Sequence, residues 1–323
     1  MSKVRPEDRI GRRLRFRDLQ VFFAVAQSGS MAKAAVQLGV TQPSVSEIIA
    51  GLEHMFEVRL FDRSPRGVEP TSYGGALLKR SIAVFDELKQ SIKDIEYLAD
   101  PTLGEVRIAC TPAIAALILP QVVQRFAQQH PRAVVHQDDV TIFAANLSGL
   151  RERIYDLTLT RLDRPLAGED DDLNVEILFN DRMVLAAGMH TRWARRRKID
   201  LAELADEPWI LSAPHTWNYA GVMEAFQARG LPMPRASAVT LSAPLRAHLL
   251  ANGPYIASIA HASLRLHAGY PIKVLPVDLP DRTTPVGIIT LKKRTLSPVV
   301  ERFIERAREV TRQMGKRLAA PKQ

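Results

Sequence analysis

The stretch SGSMAKAAVQLGVTQPSVSE, residues 28–47, sets two short helical patterns on either side of Leu38-Gly39-Val40. Gly39 can take a positive φ and end the first pattern. Ser30 suits the cap of that helix and Thr41 the cap of the next, with Pro43 tolerated in the first turn. Ala34 and Ala35 are small enough to let the earlier helix approach another closely. Working outward, residues 16–56 read as three helices. Leu19, Phe22, Phe23 and Ala26 form a face on the first. Ala32, Ala35 and Leu38 do so on the second, and Val45, Ile48, Ile49, Leu52 and Phe56 on the third. So short a link makes the second and third helices cross steeply, which is helix-turn-helix geometry.

The third helix of such a unit projects short polar groups from its amino-terminal end. Gln42, Ser44, Ser46 and Glu47 occupy that end, and Gln42, Ser44 and Ser46 are read as facing outward while Val45 and Ile48 hold the helix down. Glutamine can pair bidentately with adenine in the major groove, and serine can meet bases or phosphates. Ser30, Lys33 and Pro43 join them as candidate DNA contacts. The following VRLFDRSPRGVEPTSYG, residues 58–74, gives Leu60 and Phe61 to the core and sets Arg59, Arg63 and Arg66 around a Pro-Arg-Gly turn. That pattern predicts a β-wing with arginines placed for phosphate or minor-groove contact.

The whole chain of 323 residues is too long for one ordinary core. Its hydrophobic share of 46% and charged share of 24% are those of a globular protein. A net charge of +9 and a pI near 9.8 favour a polyanionic partner. The single cysteine, Cys110, closes the apolar run VRIAC and suits core packing better than nucleophilic work. The charged start MSKVRPEDRIGRRLRFRD has no apolar signal-peptide core, and no apolar stretch is long enough to span a membrane. A cytoplasmic protein without membrane contact is expected.

Residues 72–98 form an uninterrupted helical pattern. Leu77, Val84, Leu88, Ile95 and Leu98, with Ser81 and Ser91 in the remaining seam positions, recur at alternating three- and four-residue steps. A narrow apolar stripe flanked by charges predicts a helix paired with a second copy. A helix lying on its own domain is the alternative. ADPTLGE, residues 99–105, reads as a hinge. Beyond it, short apolar runs alternate with helical patterns, which implies mostly parallel sheets covered by helices.

With these residues in view, the chain resembles the LysR-type transcriptional regulators. The match lies in DLQVFFAVAQSGSMAKAA (18–35), LGVTQPSVSEIIAGLE (38–53) and LFDRSPRGVEPTSYG (60–74), and more weakly as far as residue 310, including AALILP, YDLTLTR and SPVVERFIERARE. The resemblance implies an amino-terminal all-α winged helix-turn-helix with a long linker helix. It also implies a carboxyl-terminal α/β two-lobed domain similar to type 2 periplasmic binding proteins. It further implies double-stranded promoter DNA and a small-molecule effector as partners, with self-association through residues 75–98 and homotetramers overall. RNA polymerase is a further candidate partner. The expected domains are a loose basic segment 1–15, the DNA-binding domain 16–74, the linker helix 75–98 and the hinge 99–104. The effector domain is 105–315, with lobe one at 105–181 and 284–315 and lobe two at 182–283. A disordered tail 316–323 ends the chain. The sequence departs from the family pattern at Ala32, Ala113 and Phe143, where hydroxyl residues are common, and in ANGPYIASIA, where a glycine-x-glycine run is usual.

Ligands of two-lobed α/β folds bind near strand carboxyl ends and helix amino termini. Thr111 follows one strand; Thr160 and Arg161 end another, and Arg161 can clamp a carboxylate or instead pair with Asp163 or another acid. Ser212, His215 and Thr216 lie in the loop SAPHTWN before a helix of the other lobe. These residues and Phe143 are the candidate effector contacts, and the lost hydroxyls favour a small carboxylate with an apolar or aromatic body. The basic run HTRWARRRK, residues 190–198, is expected as a solvated loop. Neither paired histidines nor CxxC, GxSxG, GxGxxG or a Walker loop is present, so neither metal nor cofactor nor catalysis is expected. The rival is a ligand-sensing, solute-binding-like protein with no specific DNA target.

Overall fold

The computed structural model describes residues 14–64, 67–140, 143–162, 166, 168–214, 216–280 and 283–319. Arg66 and His215, Asp163, most of segment 1–15 and the last residues of the tail lie outside the described residues, as does the side chain of Phe143. The chain divides into two compact units after Ile92.

The first unit holds α1 (Phe16–Ser28), α2 (Met31–Leu38), α3 (Gln42–Phe56), the hairpin β1 (Phe61–Ser64) and β2 (Gly67–Pro70), and the start of α4 (Ser72–Ala99). Its core is Val21, Phe22, Val25, Met31, Ala34, Ala35, Val45, Ile49, Leu52, Leu60 and Phe61. Two expected faces are thereby corrected. Ala32 is exposed, and Met31 with Ala34 takes its place. On α1, Leu19, Phe23 and Ala26 are half-buried. That helix packs on more than one side: Phe16 and Phe23 set their rings 5.0 and 5.3 Å from Phe85 of α4, so the buried stripe turns toward Val21 and Val25. On α4, Leu77 packs into the core, whereas Val84, Leu88, Ile92, Ile95 and Leu98 are exposed in the single chain.

The second unit is one mixed sheet with helices packed on it. Its strands are β3 (Leu103–Cys110), β4 (Arg132–Asp139), β5 (Leu157–Arg161), β6 (Leu173–Gly188), β7 (Trp209–Leu211), β8 (Ala236–Val239), β9 (Ile256–Ala260), β10 (Ile272–Val274) and β11 (Thr283–Leu291). Their order is β4-β3-β5-β11-β6-β9-β7-β8, with β10 also on β6. The helices are α5 (Pro112–Gln129), α6 (Phe143–Arg151), α7 (Trp217–Gln227), α8 (Ala243–Asn252) and α9 (Pro298–Ala319). The expectation of mostly parallel strands needs correcting. The β3/β4, β3/β5, β7/β8 and β7/β9 pairs are parallel, but β6 and β11 run antiparallel to their neighbours. These two strands carry the chain between the halves of the sheet. β6 pairs with β11 as far as Arg182 and with β9 from Met183 onward.

Helix α5 continues through Pro120. The turn after α4 is closely tied down rather than slack. The Asp100 carboxylate accepts from Thr102 N and Oγ1 at 2.9 and 2.6 Å and pairs with Arg132 at 2.6 Å. His130 Nδ1 lies 2.9 Å from the Pro101 carbonyl. The division between the two compact units falls inside α4.

Candidate nucleic-acid interface and effector site

Local sequence chemistry positions the α2–α3 pair. Ser30 Oγ caps α2 by accepting from Lys33 N, and Gly39 ends it at φ +67. Thr41 Oγ1 caps α3 by accepting from Ser44 N and lies 2.9 Å from Ser44 Oγ. Gln42 and Pro43 stand exposed at the start of α3, with Glu47 one turn on and Lys33 on α2. Ser46 does not face outward as expected. It is half-buried and donates its hydroxyl to Met31 Sδ at 3.2 Å, fastening α3 to α2. Gln42 Nε2 in turn donates to Ser46 Oγ at 2.8 Å, which holds the glutamine against the helix before any base meets it. Ser44 is likewise half-buried.

The hairpin beside α3 is fixed by backbone bonds. Phe61 pairs with Pro70 and Ser64 with Gly67, while Val68 N donates to the Gly29 carbonyl at the end of α1. Thr71 Oγ1 donates to the Arg59 carbonyl and accepts from Gly74 N. Glu53, which sequence reasoning passed over, clasps the hairpin to α3. Its Oε1 accepts from Leu60 N at 2.8 Å and Phe61 N at 3.3 Å, and its Oε2 lies 3.6 Å from Arg63. The signal was an acidic residue half-buried among apolar positions of a helix. Arg63 is half exposed, so this ion pair is weak and leaves it able to exchange Glu53 for a phosphate. Arg59 is exposed.

In the second unit, Thr111 and Thr160 lie at the carboxyl ends of the neighbouring parallel strands β3 and β5. Thr111 occupies the cap position of α5 without a side-chain capping bond, and Thr160 is buried. Arg161 is not a free clamp. It pairs with buried Asp181 at 2.5 Å, and Asp181 also accepts from Arg182 N and Ala262 N at 2.9 Å. The acid comes from the middle of β6, twenty residues from Arg161 in the chain, so local spacing could not reveal it. The guanidinium also lies over the Trp217 ring, 5.2 Å from its centroid, joining lobe one to the start of α7. Thr216 caps α7, accepting from Tyr219 N and donating to the Ala213 carbonyl at 2.6 Å. Ser212 is buried and accepts from Arg246 Nη2 at 3.1 Å.

Arg246 also escaped the sequence reading, because PLRAHLLANG shows only an ordinary amphipathic helix. It is 7% exposed, and Nη2 also donates to the Thr240 carbonyl at 2.9 Å. Burial lowers its pKa from the ordinary arginine value.

The basic run 190–198 is folded and not simply a solvated loop. Trp193 and Ala194 are buried, Arg192 pairs with Glu207, and Arg196 grips both oxygens of Glu203. Cys110 is buried and its thiol is pushed up to about 12, chiefly by that burial, so it serves the core. Among the described residues, no helix is long and apolar enough to cross a membrane, and no cluster of metal-ligating side chains occurs.

Comparison with known proteins adds a family. The model described as "Bacterial regulatory helix-turn-helix protein, lysR family" matches residues 16–75, and "LysR substrate binding domain" matches 99–312. The chain is 26% identical over 289 residues to the HTH-type transcriptional regulator GbpR of Azospirillum brasilense, covering 88% of this chain and 83% of that protein. It is 30% identical over 215 residues to TdcA of Escherichia coli, also an HTH-type transcriptional regulator, covering 66% and 67%. The structure of a full-length OxyR variant from Pseudomonas aeruginosa has the same fold. It aligns at TM-score 0.63 and 19% identity over 93% of this chain and 95% of its own.

Proposed function

The chain belongs to the LysR family of DNA-binding transcriptional regulators, and from that premise we propose that it grips promoter DNA as a homo-oligomer and answers to a small carboxylate held between its two lobes. Membership sets aside the rival of a sensing protein without a DNA target. The DNA contacts are Lys33, Gln42, Pro43 and Ser44 at the head of α3, with Ser30 and Ser46 holding that turn and Arg59, Arg63 and Arg66 contacting phosphate. The effector is lined by Thr111, Phe143, Thr160, Ser212, His215 and Thr216, and Arg161 sets the wall against Trp217.

The observation that carries the reading is the Arg161–Trp217 contact, a cation on an aromatic ring that bridges the lobes between the chain neighbours of Thr160 and Thr216. A ligand that closes the lobes shifts the population of two domain states, and its differential affinity sets how far DNA binding follows. The exposed stripe Val84, Leu88, Ile95 and Leu98 supports pairing of α4 with a second copy, since so narrow an apolar row suits a coiled-coil seam. RNA polymerase as a further partner belongs to the same proposal.

Gel-shift titration on the DNA upstream of its own gene tests this. Affinity should fall steeply with salt through counterion release. Gln42→Ala should cost about 1–3 kcal/mol on the cognate site and relax base preference. Arg66→Ala should weaken all sequences alike and flatten the salt slope. Calorimetry in which only uncharged or cationic compounds bind would rule out the carboxylate.

A further inference from the structure

We propose that Arg246 is the cation that receives the carboxylate of the effector, at a site formed by two strand-to-helix turns of lobe two. This rests on reading the carboxyl-terminal domain as an effector domain, and it moves charge recognition from Arg161 to α8.

The placement comes first. β7 and β8 are parallel neighbours, with Leu211 opposite Val239, so their carboxyl ends share one edge of the sheet. β7 runs into Ser212 and then α7; β8 runs into Thr240 and then α8. Arg246, in the first turns of α8, reaches back to both. One amino group donates to Ser212 Oγ at 3.1 Å and to the Thr240 carbonyl at 2.9 Å. The guanidinium therefore stands astride two turns of the kind that bind ligands in open α/β sheets.

The charge balance comes next. Arg294 is buried against Asp156, and the half-buried Arg161 pairs with buried Asp181. Arg246 is as buried as Arg294 and more so than Arg161, yet among the described residues no acid pairs with it, and its Nε–H, like that of Arg161, is buried without an acceptor. An uncompensated buried charge is costly, and a guanidinium cannot relieve the cost by losing its proton. The free protein carries that cost, and an arriving anion removes it.

The surroundings point the same way. Helices α7 and α8 start at this edge with 11 and 10 residues, and neither has an acidic residue in its first turn. Thr216 and Ser242 cap one N–H each, at Tyr219 and Leu245, and the amino termini still present positive potential at this edge. Trp217 Nε1, at the start of α7, is a buried donor with no acceptor among the described residues. A planar carboxylate matches the guanidinium fork.

The test uses the full chain, with thermal unfolding followed by tryptophan fluorescence at fixed ionic strength. The probes are acetate, benzoate and succinate against their uncharged amides, with sulfate as a non-planar anion. At least one carboxylate should raise the wild-type Tm saturably while its amide does not. Arg246→Met should weaken that effect about 10- to 100-fold, and Arg246→Lys should restore part of it by returning the charge without the fork. Without any probe, Arg246→Met should be no less stable than wild type, because a chain of similar length replaces an unpaired ion. The proposal falls if no carboxylate acts on the wild type, if sulfate alone acts, if one acts equally on Arg246→Met, or if Arg246→Met alone unfolds earlier. Gel shifts separate the two readings. Arg246-dependent binding that leaves DNA affinity unchanged keeps the anion site and removes the effector role. Binding that alters DNA affinity equally in wild type and variant does the reverse.

Discussion

Removing the carboxylate of Asp156 should unfold the second unit well before the wild type. Asp156 Oδ2 accepts from Arg107 N at 2.9 Å, and Oδ1 pairs with Arg294 Nη2 at 2.9 Å. Both side chains are 3% exposed. Arg294 Nη1 also donates to the Tyr155 carbonyl, so the pair pins the loop after β11 to the start of β5. Asp156→Ala takes an acid away from a buried guanidinium and leaves a strand N–H without its acceptor. Breaking a buried pair from one side costs about 3–5 kcal/mol. For a unit of this size that is a fall in Tm of about 6–20 °C. All three tryptophans, Trp193, Trp209 and Trp217, lie in the second unit, so fluorescence follows this unit alone. Arg294→Met should cost less than Asp156→Ala, because the carboxylate keeps its backbone donor. The double variant should lie above the sum of the singles by about 2 kcal/mol or more, since the stranded charge is gone. Losses that simply add would refute the reasoning and make each residue an independent anchor.

Gly74 and Gly75 should part company. A Cβ on Gly74 would stand 2.0 Å from the Leu60 carbonyl oxygen, so Gly74→Ala should cost about 1–3 kcal/mol or more, whereas one on Gly75 meets open space within a helix and should stabilise by about 0.5–1 kcal/mol. Circular dichroism of the helical signal reads both. Leu88→Asp with Ile95→Asp should lower the mass seen by light scattering without lowering helix content, because both side chains are exposed in the single chain; an unchanged mass would remove the α4 seam. Cys110 should resist alkylation at pH 8 in the folded protein. Its raised thiol pKa makes its stabilising contribution whole below the unfolded value near 9.0 and lost between there and about 12, because the unfolded thiol ionises first.

The parts legible in the sequence are those whose chemistry is local. Ser30, Gly39 and Thr41 announce their own caps and turn, because each acts on a backbone group within a few residues. The βα alternation from residue 103 onward shows for the same reason. The amino-terminal half of β6 was missed: Asn174, Glu176 and Asn180 break up its apolar run, and its partner β11 lies more than a hundred residues further on. Glu53, Asp156 and Asp181 were missed because their partners are set by tertiary packing. Ser46 was misplaced because a serine on a helix shows its direction only once Met31 stands opposite.

Two buried arginines of the second unit and the half-buried Arg161 then sort themselves by what meets their charge. Arg294 has a fully buried acid and two chain segments to hold, which makes it a stability element. Arg161 has Asp181, an acid that also fixes the backbone of Arg182 and Ala262 where β6 passes from one half of the sheet to the other. Its charge is satisfied before a ligand arrives, so its remaining interaction is with the Trp217 face across the lobes. Arg246 has two neutral acceptors and, among the described residues, no acid. Arg246 and Arg294 are the more deeply buried and Arg161 less so, and the cost of burial is offset by an acid for two and left open for one. An interior that carries such a cost on one guanidinium is stabilised when an anion fills the place. Binding that stabilises one arrangement of the lobes over another is what a ligand needs in order to act at a distance.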